Sequence, residues 1–181
     1  PHPDDELLAA GATLAAASDA GTEVRVVAVT DGEMSHPHLD DAGRRELVDR
    51  RLAETAAAYT AAGIVADRHR LSLPDGDTTD HADRLVEGLL SILEGAAACL
   101  APWEADGHPD HDACGRAALE ACAELGIPVF SFPVWSWNWD DPGNPAIPFD
   151  RAVRFPLSDR PDGAAWMARK RAGLAAYTSQ I

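Results

Sequence analysis

The sequence predicts an α/β domain of the Rossmann-like, doubly wound class, a mainly parallel sheet with helices on both faces. Two observations predict it. Helical patterns alternate regularly with short apolar runs, and those runs lack the in-out alternation of a half-solvated sheet, as strands buried on both faces do. A chain of 181 residues with 46% hydrophobic content is long enough for one cored domain, taken as 1–181, and too short for two.

The elements follow in order. Residues 6–20 are rich in leucine and alanine and stop at Gly21, a helix with a glycine end. Residues 24–30 read as a buried strand. Residues 45–62 carry Leu47, Leu52, Ala56 and Tyr59 at helical spacing before Gly63, and a short strand follows at 68–73. Helix 83–95, strand 97–101, helix 113–124 with its stop at Gly126, and strand 128–132 repeat the theme. The Pro-rich stretch 142–148 reads as one long loop. The first loop, at residue 1, has no strand ahead of it. The pattern therefore calls for a short apolar strand before Pro1, central in the sheet, and for a chain trimmed at its N-terminus.

Thirty acidic residues against fifteen basic ones give a formal charge of -15 and a pI near 4.6, which argues against a nucleic-acid or anionic-lipid partner. A soluble small molecule suits this surface better. No apolar stretch approaches the roughly 20 residues of a membrane span, and no secretion signal opens the chain, so a cytoplasmic location is expected. Cys99, Cys114 and Cys122 form no CxxC pair and read as buried structural thiols.

In a doubly wound sheet, ligands bind beyond the carboxyl ends of the strands. Loops 1–5, 31–41, 74–80 and 103–111 are therefore the places to look for chemistry. Two of them carry related turns, His2-Pro3-Asp4-Asp5 and His108-Pro109-Asp110-His111, each leading into a helix and each opening onto the same edge. Capping explains one such turn, since aspartate before a helix is common. It does not explain two. Two histidines and one carboxylate with an open fourth position is the ligand pattern of catalytic zinc, and it also suits ferrous iron.

With both turns intact, the chain resembles the PIG-L/LmbE-type zinc N-deacetylases, whose hallmarks are an N-terminal HPDD turn and a later HPDH turn. The resemblance extends to Thr30-Asp31-Gly32-Glu33, to Arg51-x-x-Glu54, to Asp75-Gly76 and to Tyr177-Thr178-Ser179-Gln180. It implies metal ligation by His2, Asp5 and His111, with Asp4 as general base. It implies removal of an N-acetyl group from an N-acetylglucosamine-type substrate, and makes Arg51 a sugar-binding candidate. Members acting on mycothiol precursors carry a tyrosine two residues before the second turn, where this sequence has Asp106. That departure counts against a mycothiol substrate.

The remaining roles are expectations from chemistry. His108, held as an imidazolium by Asp110, would steady an oxyanion. Asp75 reads equally as a turn residue and as a substrate contact. If the segment is extended, Trp135, Trp137 and Trp139 share one face, either a cover for the sheet edge or a stacking surface, with Trp137 as the substrate contact. His36 and His38 sit among acids in an exposed loop and are not expected to ligate. Rival readings are a zinc hydrolase of another N-acyl amide, a metal-binding module without turnover, and a nucleotide-binding module. The last lacks any G-x-G-x-x-G turn. A homo-oligomer is compatible with the sequence.

Overall fold

The computed structural model describes residues 1–153 and 156–180. Its elements run α1 (Asp5–Asp19), β1 (Arg25–Ala28), α2 (Asp41–Ala62), β2 (Asp67–Arg70), α3 (Ala82–Leu93), β3 (Cys99–Pro102), α4 (Pro109–Leu125), β4 (Val129–Phe132) and α5 (Gly163–Leu174). The alternation matches expectation. Both observed ladders are parallel: β1 pairs with β2 from Arg25↔Asp67 to Ala28↔Arg70, and β3 with β4 from Cys99↔Val129 to Pro102↔Phe132.

Two helices begin earlier than hydrophobic spacing indicates, for identifiable reasons. Asp40 caps α2 by accepting the Gly43 N–H at 2.9 Å, which starts that helix at Asp41. Pro109 occupies the first turn of α4 and His108 caps it, so His-Pro-Asp-His becomes the helix start rather than a loop before it. Helix α5 is not anticipated by its sequence pattern. It packs on α1 and α2, where Arg169 donates to the carbonyls of Ala62 and Gly63 at the end of α2 and pairs with Asp19.

Two apolar cores result. One joins Leu85, Leu89 and Leu93 of α3 to Ala101 of β3 and Ala117, Ala121 and Cys122 of α4, and the other joins Leu7 and Ala15 of α1 to Ala58, Tyr59 and Ala62 of α2 and Tyr177. All three cysteines are free and buried. Among the described residues, no helix is long and apolar enough to cross a membrane.

The expected single sheet is present as two separate two-stranded sheets. Between them lies an apolar slot of about 570 Å3, lined by Val26 and Ala28 of β1, Cys99 and Ala101 of β3, and Leu14 beneath. The Pro1 carbonyl accepts the Thr30 N–H at 3.1 Å, so residue 1 already pairs with the backbone just beyond β1. A short apolar segment joined ahead of Pro1 is expected to continue that pairing down the slot and to raise Tm by at least about 4 °C; no rise in scanning calorimetry would show that the slot does not accept a strand.

Close approach of α4 to the end of β3 sets the second His-Pro-Asp turn. A Cβ on Gly115 would stand 2.6 Å from the Pro102 carbonyl oxygen and 2.7 Å from the Glu104 nitrogen, both backbone. Gly115→Ala is therefore expected to cost about 1–3 kcal/mol in urea unfolding. A neutral effect would contradict the tight seating of α4.

Candidate metal centre

The first turn of the chain is built around Asp5, the first residue of α1. Its Oδ2 accepts the His2 N–H at 2.9 Å and lies 3.3 Å from His2 Nδ1 and 3.4 Å from His111 Nε2. His2, Asp5 and His111 together present one ligand atom each within 4.8 Å of one another. Residues 109 positions apart thus meet because the turns that open α1 and α4 face one another.

Hydrogen bonds choose which ring nitrogens remain free. His2 Nε2 is engaged by Asp110 Oδ2 and Asp75 Oδ1, both at 3.1 Å, which leaves Nδ1 facing Asp5. His111 Nδ1 donates to Asp106 Oδ2 at 2.7 Å, which leaves Nε2 facing the same Asp5 oxygen. A carboxylate behind each imidazole is the arrangement that fixes metal-ligating histidines. Burial lowers the pKa of His111, which keeps it neutral as a ligand must be. Burial acts in the same sense on His2, but Asp110, Asp5 and Asp75 outweigh it and hold that imidazole's pKa up to about 10. The pocket favours positive charge, and the donor set fits a divalent cation. A second grouping, His2, His108 and Asp110, is also compact, but the Asp110 carboxylate is already engaged by His2 and by the N–H groups of Gly76 and Thr78.

Asp4 stands beside this set and outside it. Its φ of 129° is rare for a residue with a side chain, a strain of about 1–3 kcal/mol that surrounding contacts must maintain. Arg51 supplies part of that restraint. Buried to 2% exposure, it donates to the Pro3 carbonyl at 2.6 Å and the Gly32 carbonyl at 3.1 Å and approaches Asp4 Oδ2 at 3.4 Å. The Asp4 carboxyl is pushed up to about 7, by burial first and by neighbouring Asp5 second, against the lowering influence of Arg51. A carboxylate near neutral pKa is suited to taking and returning a proton.

Several expectations change. Asp110 does not hold His108 as an imidazolium, because its carboxylate faces His2 and residues 76–78. His108 Nδ1 instead accepts the Asp110 N–H at 3.2 Å, and burial and the charge on His2 lower the ring's pKa, which makes it a neutral donor through Nε2. Arg51 is a buried brace for the first turn rather than a free arm for sugar. Asp75 is no mere turn residue, since it touches His2 and accepts from Thr30 and Met34. The tryptophan segment is a 3-10 turn, Trp135–Asn138, so Trp135, Trp137 and Trp139 do not form one extended face. Trp137 lines the cleft over the metal centre, and His36 and His38 contact each other and belong to neither candidate ligand group. Glu54 accepts from Thr178 and Ser179, fastening the Tyr177–Gln180 segment to α2.

Asp106 is the residue whose role the sequence concealed. Fully buried, its carboxylate accepts from His111, from the N–H groups of Val134, Trp135 and Ser136, and from the Ser136 hydroxyl. Burial would raise its pKa, but these bonds, led by those from Ser136, hold it below the usual range. Its position five residues before His111 was the available signal.

The PIG-L family model, described as GlcNAc-PI de-N-acetylase, matches residues 1–122. The chain belongs to the PIG-L family. Among the relatives of this PIG-L chain, diacetylchitobiose deacetylase of Thermococcus kodakarensis is 31% identical over 72% of the chain, which spans half of that protein's length. A 1D-myo-inositol 2-acetamido-2-deoxy-alpha-D-glucopyranoside deacetylase of Catenulispora acidiphila is 27% identical over 99% of the chain and 73% of its own. The A40926 pseudoaglycone deacetylase Dbv21 shares the fold at a TM-score of 0.70, with 24% identity over 99% of this chain and 80% of its own. The hydratase GalB of Pseudomonas putida KT2440 shares it at 0.69, with 20% identity over 99% and 76%. One fold thus carries deacetylases and a hydratase, and the reaction must be argued from the site.

Asp106→Asn replaces one of the two acceptor oxygens shared by His111 and the tryptophan turn with an N–H donor and is expected to weaken divalent-metal binding about 10- to 100-fold in calorimetric titration. Unchanged affinity would mean that Asp106 serves only to pack the tryptophan turn.

Proposed function

We propose that this chain is a zinc-dependent N-deacetylase acting on an N-acetylglucosamine-type amino sugar, with His2, Asp5 and His111 as ligands and Asp4 as the proton carrier. The observation that carries the reading is Asp4, a strained, partly buried carboxyl with its pKa pushed up to about 7, set beside a His/Asp/His ligand set without belonging to it. Ligation alone needs no such group, which disfavours a metal-binding module without turnover. Family membership and deacetylase relatives support the same conclusion.

An amide resists hydrolysis because water is a poor nucleophile and the amine a poor leaving group. A bound zinc ion supplies a Lewis acid that lowers the pKa of water toward about 7. Asp4 accepts the proton as water adds to the acetyl carbon. His108, neutral and with Nδ1 engaged, donates through Nε2 to the oxyanion of the tetrahedral adduct. When the C–N bond breaks, Asp4 returns the proton to the departing nitrogen, and acetate and the free amine result. Asp75 and Asp110 hold His2, and Arg51 holds the Pro3–Asp4 backbone.

Hydrolysis of another N-acyl amide would use the same residues and differs in the carboxylate or the amine released. Asp4→Asn is expected to keep one equivalent of zinc while acetate release falls at least about 100-fold. Full activity would remove Asp4 from the mechanism, and loss of metal would make it a ligand.

A further inference from the structure

The cleft above the metal centre, about 670 Å3, has a rim unlike its floor. The floor is acids and histidines. The rim is Leu8, Met34, Trp135 and Trp137, which are 46%, 41%, 48% and 64% exposed and so form an apolar shelf continuous with the site. Trp135 stands edge-on to His108 with ring centroids 5.5 Å apart, and Trp137 is backed by Phe149 at 6.0 Å.

This shelf is rigidly mounted. Asp106 binds three successive N–H groups of residues 134–136, and its carbonyl accepts the Trp139 indole N–H at 2.8 Å. Ordering entropy on ligand binding is therefore small. The polar side chains at the rim are few, and each already makes a hydrogen bond: Asn138 with the Trp135 carbonyl, Gln180 with Ser179, and Ser35 with His36. Hydroxyl groups of an oligosaccharide lying on the indole and thioether surfaces themselves would lose water there without equivalent partners. Among the described residues the only lysine or arginine lining the cleft is Arg51, which is buried against backbone, so an anionic aglycone would find neither side chain free to pair with it at the rim.

We propose that this shelf is an aglycone subsite and that the substrate is an N-acetylglucosaminide bearing a flat, uncharged aromatic aglycone. The proposal rests on the deacetylase reading for its chemistry and on the rim alone for its specificity. Indole and thioether groups bind planar aromatic surface well.

The test compares zinc-loaded protein on 2-naphthyl N-acetyl-β-glucosaminide and N,N'-diacetylchitobiose, measuring acetate release and, by titration calorimetry, Kd for the naphthyl compound. We expect kcat/KM about ten-fold or more higher for the naphthyl glycoside, and a loss of about ten-fold in that preference in Trp137→Ala, expressed in KM and restored by Trp137→Phe. Equal rates on the two compounds, or equal loss on both in Trp137→Ala, would overturn the proposal in favour of sugar stacking. If neither compound releases acetate, the deacetylase reading fails; Trp137-dependent binding of the naphthyl compound would then still support the shelf, and binding indifferent to Trp137, or none, would overturn it.

Discussion

The site depends above all on the Asp110 carboxylate, fully buried in the first turn of α4. It accepts from His2 in the first turn of the chain and from Gly76 and Thr78 beyond β2, so the starts of α1 and α4 and the loop after β2 are tied at one point. Hydrogen bonds led by that from His2 overcome burial and keep its pKa well below the usual carboxylate range. A buried anion of this kind is stable only while its donors are in place, and removing one leaves it unpaired. The geometry of the ligand set is thereby linked to the folding of the whole strand-end edge.

Asp106 plays the complementary part on the other side of His111. One carboxylate fixes the ligand's tautomer and the course of the tryptophan turn together, so the reacting centre and the rim that faces substrate share a single anchor. Asp5, Asp75, Asp106 and Asp110 gather around His2 and His111, where a cation can offset their charge. Asp4 is the exception, a carboxyl with only the long Arg51 contact at 3.4 Å among the described residues, whose pKa burial and Asp5 push up to about 7.

Much of this was legible in the sequence. Glycine stops and helical spacing placed α1 to α4, and the paired His-Pro-Asp turns marked one edge of the sheet as chemical. The start of α4 was misplaced because capping and proline at its first turn outweigh the late onset of its apolar residues. Helix α5 was missed because its buried contacts are few, chiefly Gly163 and Gly173, with charged side chains reaching back to α1 and α2. Side-chain partners across the fold were beyond sequence reasoning: nothing local says that Asp110 serves His2 rather than His108, that Arg51 grips the Pro3 carbonyl, or that Asp106 lies under His111. Sequence distance hides such contacts, and only packing decides them.

The most direct test of the central claim is an anomalous diffraction map at the zinc edge from crystals of the zinc-loaded protein. A single peak about 2.0–2.2 Å from His2 Nδ1, His111 Nε2 and an Asp5 oxygen, with Asp4 unligated, is the expected result. A peak ligated by His108 and Asp110, or one at His36 and His38, would contradict it.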